Sequence, residues 1–328
     1  MSSTGEEEVI LSIRDLRVYF STSQGLIRAV DGVDLHVKRG ETMALVGESG
    51  SGKSVTALSV MKLVPVPPGK IVSGKIKFLG ESLLDLSPAE IREKRGRDIA
   101  MIFQEPMSSL NPTLTIGEQI MEVIRLHQHL EGKVALDKAV EMLGLVKIPS
   151  PEKRVREYPH ELSGGMKQRI MIAMGLSCRP KLLIADEPTA SLDVTIQAQI
   201  LNLMKELHEQ VGTTTLLITH SLGVVAEMAD RVSIMYAGQI VEVAPVEDLF
   251  HDARHPYTQG LMKTIVNIRE DAKRLDVIPG APPNPGRLPP GCRFHPRCHL
   301  ADERCKTQES SYVAVGKGRW VRCWYARP

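Results

Sequence analysis

The sequence predicts an α/β fold, a largely parallel sheet with helices on both faces, on three observations. Short apolar runs recur through the chain: MALV at 43–46, KLLIAD at 181–186, TLLITH at 215–220 and RVSIMYAG at 231–238. Helix-patterned segments separate them, the arrangement that lets a parallel sheet bury both faces. The first run leads directly into a glycine-rich loop, GESGSGKS at 47–54.

The elements follow in order. Residues 9–47 are β-rich, because ILSIRDLRVYF and AVDGVDLHVKRG alternate apolar and polar residues. Residues 53–63 are predicted as a helix, and 70–104 as short strands with a linking helix. From 114 to 149 the pattern is helical, in IGEQIMEVIRLHQHL and KVALDKAVEMLGLV. Another helix at 165–179 follows a serine and two glycines. No internal repeat is found. The proline-dense run APPNPGRLPP at 281–290 cannot be a helix or central strand, so it marks a boundary between 1–280 and 281–328. The short segment beyond it is poor in large apolar residues and is expected to need a staple.

Composition narrows the class. The chain has 328 residues and a formal net charge of +2, which gives no global pull toward nucleic acid. No run of eighteen apolar residues occurs, so no span of a membrane is predicted. The start, MSSTGEEEVI, is acidic and lacks the apolar stretch of a secretory signal, which reads as a cytoplasmic protein.

GESGSGKS fits a phosphate-binding loop between strand and helix. Its residues are Gly47, Glu48, Ser49, Gly50, Ser51, Gly52, Lys53 and Ser54. Glycines let backbone N–H groups turn inward onto phosphate oxygens, and the helix N-terminus adds positive potential. Lys53 is expected on the β- and γ-phosphates, and Ser54 on Mg²⁺. The plainer alternative is a glycine-rich turn with an incidental lysine. In LLIADEP, Asp186 ends an apolar strand, where open α/β sheets bind ligands. It is suited to hold Mg²⁺, and the adjacent Glu187 to polarise an attacking water. The alternative is two solvated acids before Pro188.

The stretch ELSGGMKQR at 161–169 resembles the LSGGQ signature of ABC ATPases, with Met166 in the fifth position. Ser163, Gly164 and Gly165 open a helix, offering free N–H groups to a phosphate. Taken alone, they could be no more than a serine-capped helix start. The resemblance implies that they bind ATP held by a second ATPase, so two subunits form a head-to-tail dimer. It implies roles for four more residues. Gln104 in IFQEP resembles the Q-loop glutamine that senses Mg²⁺ and water. Asp193 in SLD resembles the D-loop aspartate, and His220 in ITHSL the switch histidine on the γ-phosphate. Phe20, rather than Tyr19, is expected to stack on adenine. The fold class is therefore α/β, a P-loop ATPase core with a mixed sheet, an inserted helical subdomain at about 105–165 and a small cysteine-rich extension.

More specific likeness comes from EPMSSLNPTLTIGEQI at 105–120, HPYTQGL at 255–261 and the terminal cysteines. Together they look like the dipeptide, oligopeptide and nickel importer ATPases. That implies an ATPase on the cytoplasmic face of the membrane, working with two transmembrane permease subunits and an extracytoplasmic peptide-binding protein. The second ATPase is a paralogue or another copy. A nickel-chelate importer, or a soluble ABC ATPase acting on DNA or ribosomes, are the alternatives.

Cys292, Cys298, Cys305 and Cys323 are spaced C-x5-C, C-x6-C and C-x17-C. Zinc sites favour closer pairs, and loops of this length suit a larger body such as a [4Fe–4S] cluster. The similar importer ATPases carry such a cluster here. From Arg287 to Pro328 nine Lys/Arg face three Asp/Glu, a net +6 that would offset an all-thiolate cluster. Trp320 and Trp324 flank Cys323 and could shield it. A zinc site and unligated thiols remain the alternatives. Cys178 is expected to be a small core residue.

Overall fold

The computed structural model describes residues 8–23, 25–105, 109–190, 192–264 and 278–326. Three expectations fall partly outside them: the acidic start before residue 8, residues 106–108 of EPMSSLNP, and Ser191 of SLD. The chain forms two units. One joins Met1–Asp85 to Ile218–Pro328, and the other is Leu86–Leu217.

The first unit opens with β1 (Val9–Thr22) and β2 (Gly25–Lys38), antiparallel, with Ile13 opposite Leu35 and Val18 opposite Val30. Leu11, Ile13, Leu16 and Val18 are buried, so the alternation slips between 13 and 16. There the register shifts against both neighbours, and Asp15 has φ 43°. The opposing strand accommodates this bulge with Gly74, where a Cβ would stand 2.6 Å from Leu16 Cα. β3 (Thr42–Val46) is buried at all five residues, which explains its unbroken apolar sequence. After the glycine loop come α1 (Lys53–Val60), β4 (Gly69–Phe78) and β5 (Glu81–Ser82). A four-stranded sheet results, in the order β2-β1-β4-β5.

The second unit begins with α2 (Pro88–Lys94), started by a reciprocal cap between Ser87 and Glu90. β6 (Ile99–Ile102) is parallel to β7 (Leu182–Asp186), with Ile99 opposite Leu182. Between these strands lie α3 (Ile116–Gln128), α4 (Gly132–Leu145), the single turn α5 (Pro151–Arg154) and α6 (Gly164–Leu176). Thr115 and Glu118 cap α3 as Ser87 and Glu90 cap α2. Ile116, Ile120 and Ile124 form its buried stripe, and α4 buries Ala135, Ala139, Met142 and Leu143. α7 (Val194–Val211) follows, and β7 lies between β6 and β8 (Thr214–Thr219). Cys178 is half-buried just after α6, within 3.8 Å of the Val123 carbonyl oxygen.

The chain then completes the first unit with α8 (Leu222–Met228), β9 (Arg231–Tyr236) and β10 (Gln239–Pro245). β9 runs parallel to β3, with Met43 opposite Arg231. β9 and β10 form a tight hairpin whose turn residues, Ala237 and Gly238, both have positive φ. Together these strands make a mixed sheet. α9 (Val246–His251) and α10 (Pro256–Lys263) cover it. Glu242 in β10 is fully buried, and its carboxylate accepts the N–H groups of Arg254 and His255 at 2.8 and 2.9 Å. His255 caps α10 through Nδ1, and complete burial drives its pKa down to about 3, so the ring stays neutral.

The cysteine-rich extension belongs to this same unit. It comprises a 3₁₀ turn at His295–Arg297, α11 (Glu303–Thr307), β11 (Val313–Gly316) and β12 (Arg319–Val321). β12 adds to β10, with Glu242 opposite Val321. Phe294 enters a core cluster with Tyr236, Tyr257, Val241 and Leu249. The extension's sequence predicts a segment without a core of its own. It uses the core of the unit instead.

Candidate functional site

The glycine loop is shaped by what surrounds it. A Cβ on Gly47 would stand 2.1 Å from the Met235 carbonyl oxygen, and one on Gly52 2.3 Å from that of Ala29. Gly50 and Gly52 have φ of 76° and 109°. Only glycine fits these positions without moving backbone. Lys53 is 6% exposed, and its ammonium donates to the carbonyls of Gly47 at 2.8 Å and Glu48 at 3.0 Å. The hydroxyl of Ser51 is buried and has no hydrogen-bond partner among the described residues. The Ser51 carbonyl accepts the N–H of Gly238 at 2.8 Å. Ser54 is half-buried at the start of α1. A loop that backbone would fill if it carried side chains, with a buried cation and an unmet hydroxyl, fits a phosphate chain.

Elsewhere in the first unit, Tyr19 and Phe20 differ in company. The Tyr19 hydroxyl donates to Asp31 at 2.6 Å, and Arg28 lies 5.9 Å above its ring. Phe20 packs against Gly69, where a Cβ would stand 2.7 Å from the ring. His220 is exposed directly after β8, before Ser221 caps α8.

In the second unit, Asp186 ends β7 and is 5% exposed. Glu187 follows with φ 46°, a left-handed backbone that a glutamate adopts only when its surroundings impose it. Its carboxylate accepts a hydrogen bond from Gln104 Nε2 at 3.1 Å, across 83 residues of sequence. The fold thus joins two candidate site residues that lie far apart in the sequence. Ser163 caps α6 by accepting the Met166 N–H at 3.4 Å, and Asp193 caps α7 by accepting that of Ile196 at 3.0 Å. A Cβ on Gly165 would stand 2.7 Å from Ile196, so α6 and α7 meet where it has no side chain.

The four terminal cysteines are free thiols. Burial is the main influence on Cys292. It pushes the thiol up to about 11, against a hydrogen bond from Phe294 and with help from Cys305, Cys323 and Cys298. The Cys292 N–H donates to the Cys305 carbonyl at 2.8 Å, so these two residues are neighbours. Among the described residues, no group of three or more His, Cys, Asp or Glu is arranged to hold a metal ion, so the expected cluster gains no support from this geometry. Trp324 lies under the guanidinium of Arg304 at 4.6 Å, and Trp320, 42% exposed, stacks on Tyr312 at 5.7 Å.

Two residues at the glycine loop were not anticipated. Tyr257 accepts the Glu48 N–H at 3.1 Å, and Arg297 pairs with the Glu48 carboxylate. No spacing rule connects residue 48 with 257 or 297, so sequence alone carried no signal for them.

Comparison with known proteins shows the family. The ABC transporter family model matches residues 30–190, and the model for the oligopeptide/dipeptide transporter C-terminal region matches 241–305. The chain is 53% identical over 315 residues to the oligopeptide transport ATP-binding protein AppD of Bacillus subtilis, covering 96% of each. It is 46% identical to the dipeptide transport ATP-binding protein DppD of Escherichia coli, again over 96% of each. Among solved structures, the ATP-binding cassette MJ0796, a dimer bound to ADP and Pi, superposes with TM-score 0.65 at 26% identity, covering 72% of this chain and 98% of that one. The chain belongs to the ATP-binding subunits of the ABC transporters, with the C-terminal region of their oligopeptide/dipeptide group. ATP hydrolysis is the activity of that family, and among the described residues no helix is long and apolar enough to cross a membrane.

Proposed function

We propose that this chain hydrolyses ATP to drive import of di- or oligopeptides through a membrane transporter. The observation that carries the reading is full-length likeness to peptide transport ATP-binding proteins, extension included. A strain lacking the gene should lose uptake of a labelled dipeptide or oligopeptide, and reintroducing the gene should restore it. Unchanged uptake of both would sink the reading.

The residue roles follow from their chemistry. Lys53 and the loop of Gly47, Glu48, Ser49, Gly50, Ser51 and Gly52 surround the phosphates, with the Glu48 N–H held by Tyr257 and the Ser51 N–H by the Glu48 carbonyl. Phe20 supports adenine, since Tyr19 is held by Asp31. Ser54, Gln104 and Asp186 are the residues suited to Mg²⁺, being a hydroxyl, an amide and a buried carboxylate. When bound, the ion supplies positive charge to the phosphate oxygens. Glu187 orients the attacking water and draws off its proton, and Gln104 fixes the carboxylate that does so. His220 donates to the γ-phosphate. Ser163, Gly164, Gly165 and Asp193 serve the ATP of a second ATPase, a paralogue or another copy. The remaining partners are two transmembrane subunits and an extracytoplasmic peptide-binding protein, which puts this chain on the cytoplasmic face of the membrane as a peripheral subunit.

For the four cysteines, a [4Fe–4S] cluster is the reading we favour. Four free thiols in one short extension supply the number of donors such a cluster takes. The C-x5-C and C-x6-C spacings are wider than the close pairs usual in zinc sites. Bound, the cluster would cross-link the extension. Anaerobic reconstitution with iron and sulfide should give a brown protein with about four irons per chain. A colourless protein with one zinc per chain would refute it.

A further inference from the structure

The extension that carries the cysteines also grips the phosphate loop. The guanidinium of Arg297 meets the Glu48 carboxylate with two parallel hydrogen bonds, Nη1 to Oε2 at 2.8 Å and Nη2 to Oε1 at 3.1 Å. Its Nε donates to the Pro279 carbonyl at 2.9 Å, and its plane lies 5.8 and 5.9 Å from the rings of Tyr236 and Phe294. The Arg297 side chain is 5% exposed and that of Glu48 26%. Every donor direction that matters is therefore fixed, which is what a rigid fork allows and an ammonium does not.

Glu48 is held at both ends, its N–H by Tyr257 and its carboxylate by Arg297. The Glu48 carbonyl is in turn one of the two that hold the Lys53 ammonium. A second brace acts three residues on. Gly238 donates to the Ser51 carbonyl, and Arg293 holds that turn by donating to the Ala237 carbonyl while pairing with buried Asp31. A loop with three glycines loses much conformational freedom when it orders around a phosphate chain. Contacts that order it beforehand shift that cost to folding and strengthen binding.

We propose that Arg297 is a positioning residue for ATP, setting the phosphate loop through Glu48 and so making nucleotide affinity depend on the cysteine-bearing extension. The inference rests on the ATP-binding reading of residues 47–54. Arg297 is adjacent to Cys298 and closes the 3₁₀ turn in which the Cys298 N–H donates to the His295 carbonyl. The anchor and the thiol thus belong to one rigid turn.

The test compares the full-length protein with R297A, R297K, E48Q and the E48Q/R297A double variant. ATP affinity is measured by titration, KM and kcat by hydrolysis, and thermal stability without nucleotide. R297A and E48Q should each weaken ATP binding on the order of tenfold, and in R297A kcat at saturating ATP should stay within about twofold of wild type. R297K should recover only part of the loss. The double variant should be no weaker than the worse single one, because both remove the same contact. Wild-type affinity in both single variants would overturn the proposal, as would losses that multiply in the double, or a lowered melting temperature with unchanged affinity. If R297A fails to fold, E48Q keeps the volume and removes the charge, and unchanged affinity there overturns the proposal alone. A wild-type chain that binds no ATP would overturn the underlying reading as well.

Discussion

Replacing Glu187 by glutamine is expected to cut ATP hydrolysis by about 10²- to 10⁴-fold while leaving ATP binding in place. The substitution keeps the side chain's size and removes its charge and its ability to take a proton. Gln104 Nε2 now donates to this carboxylate at 3.1 Å. A glutamine at 187 can still accept that hydrogen bond through its amide oxygen, so the local geometry survives and only the chemistry is lost. The backbone argues the same way. Glu187 sits at φ 46°, a conformation costing of order 1 kcal/mol for a residue with a Cβ, and such costs persist where a side chain must be aimed. ATP binding by titration and steady-state hydrolysis separate the two effects. Hydrolysis at the wild-type rate would remove Glu187 from the catalytic role.

The second large effect is expected at Phe294, where truncation to alanine should destabilise the protein by about 3–5 kcal/mol. Its ring is 3% exposed and packs edge-on against Tyr236 at 5.3 Å and 88°, with Tyr257 at 5.4 Å and His255 at 5.8 Å. These are rings of β9 and α10, so the loss falls on the body of the first unit. Leu300, six residues on and 42% exposed, is the control, with an expected change within about 0.5 kcal/mol. Urea unfolding of both variants measures the difference. Equal, small shifts would mean that the extension is an appendage.

How far the sequence foretold this structure depended on what each residue faces. β3, β7, β8 and β9 were legible because strands buried on both faces must be apolar throughout. α3 was legible because Ile116, Ile120 and Ile124 repeat at helical spacing. β10 was not, since Glu242 interrupts its apolar run. That carboxylate is tolerated only because two N–H groups ten or more residues later reach it. The extension misled for a related reason. A single phenylalanine looks like too little for a core until a neighbouring cluster is seen to receive it. At the site, the residue types of the glycine loop, Asp186 and Glu187 were legible from local order. The bond from Gln104 to Glu187 and the grip of Arg297 on Glu48 were not, because they are set by folding across 83 and 249 residues.

The pairing of β3 with β9 also has a meaning for how the protein is made. The strand that leads into the phosphate loop is complete by residue 46, yet its parallel partner begins at Arg231, and Arg297 comes later still. A chain emerging from the ribosome N-terminus first can assemble Leu86–Leu217 from contiguous sequence and pair β1, β2, β4 and β5 within residues 9–82, but β3 meets β9 only once residues 231–236 exist. A chain stopped before Arg231 therefore carries the glycine loop without the strand that pairs with β3, and one stopped before Arg297 without the side chain that grips Glu48.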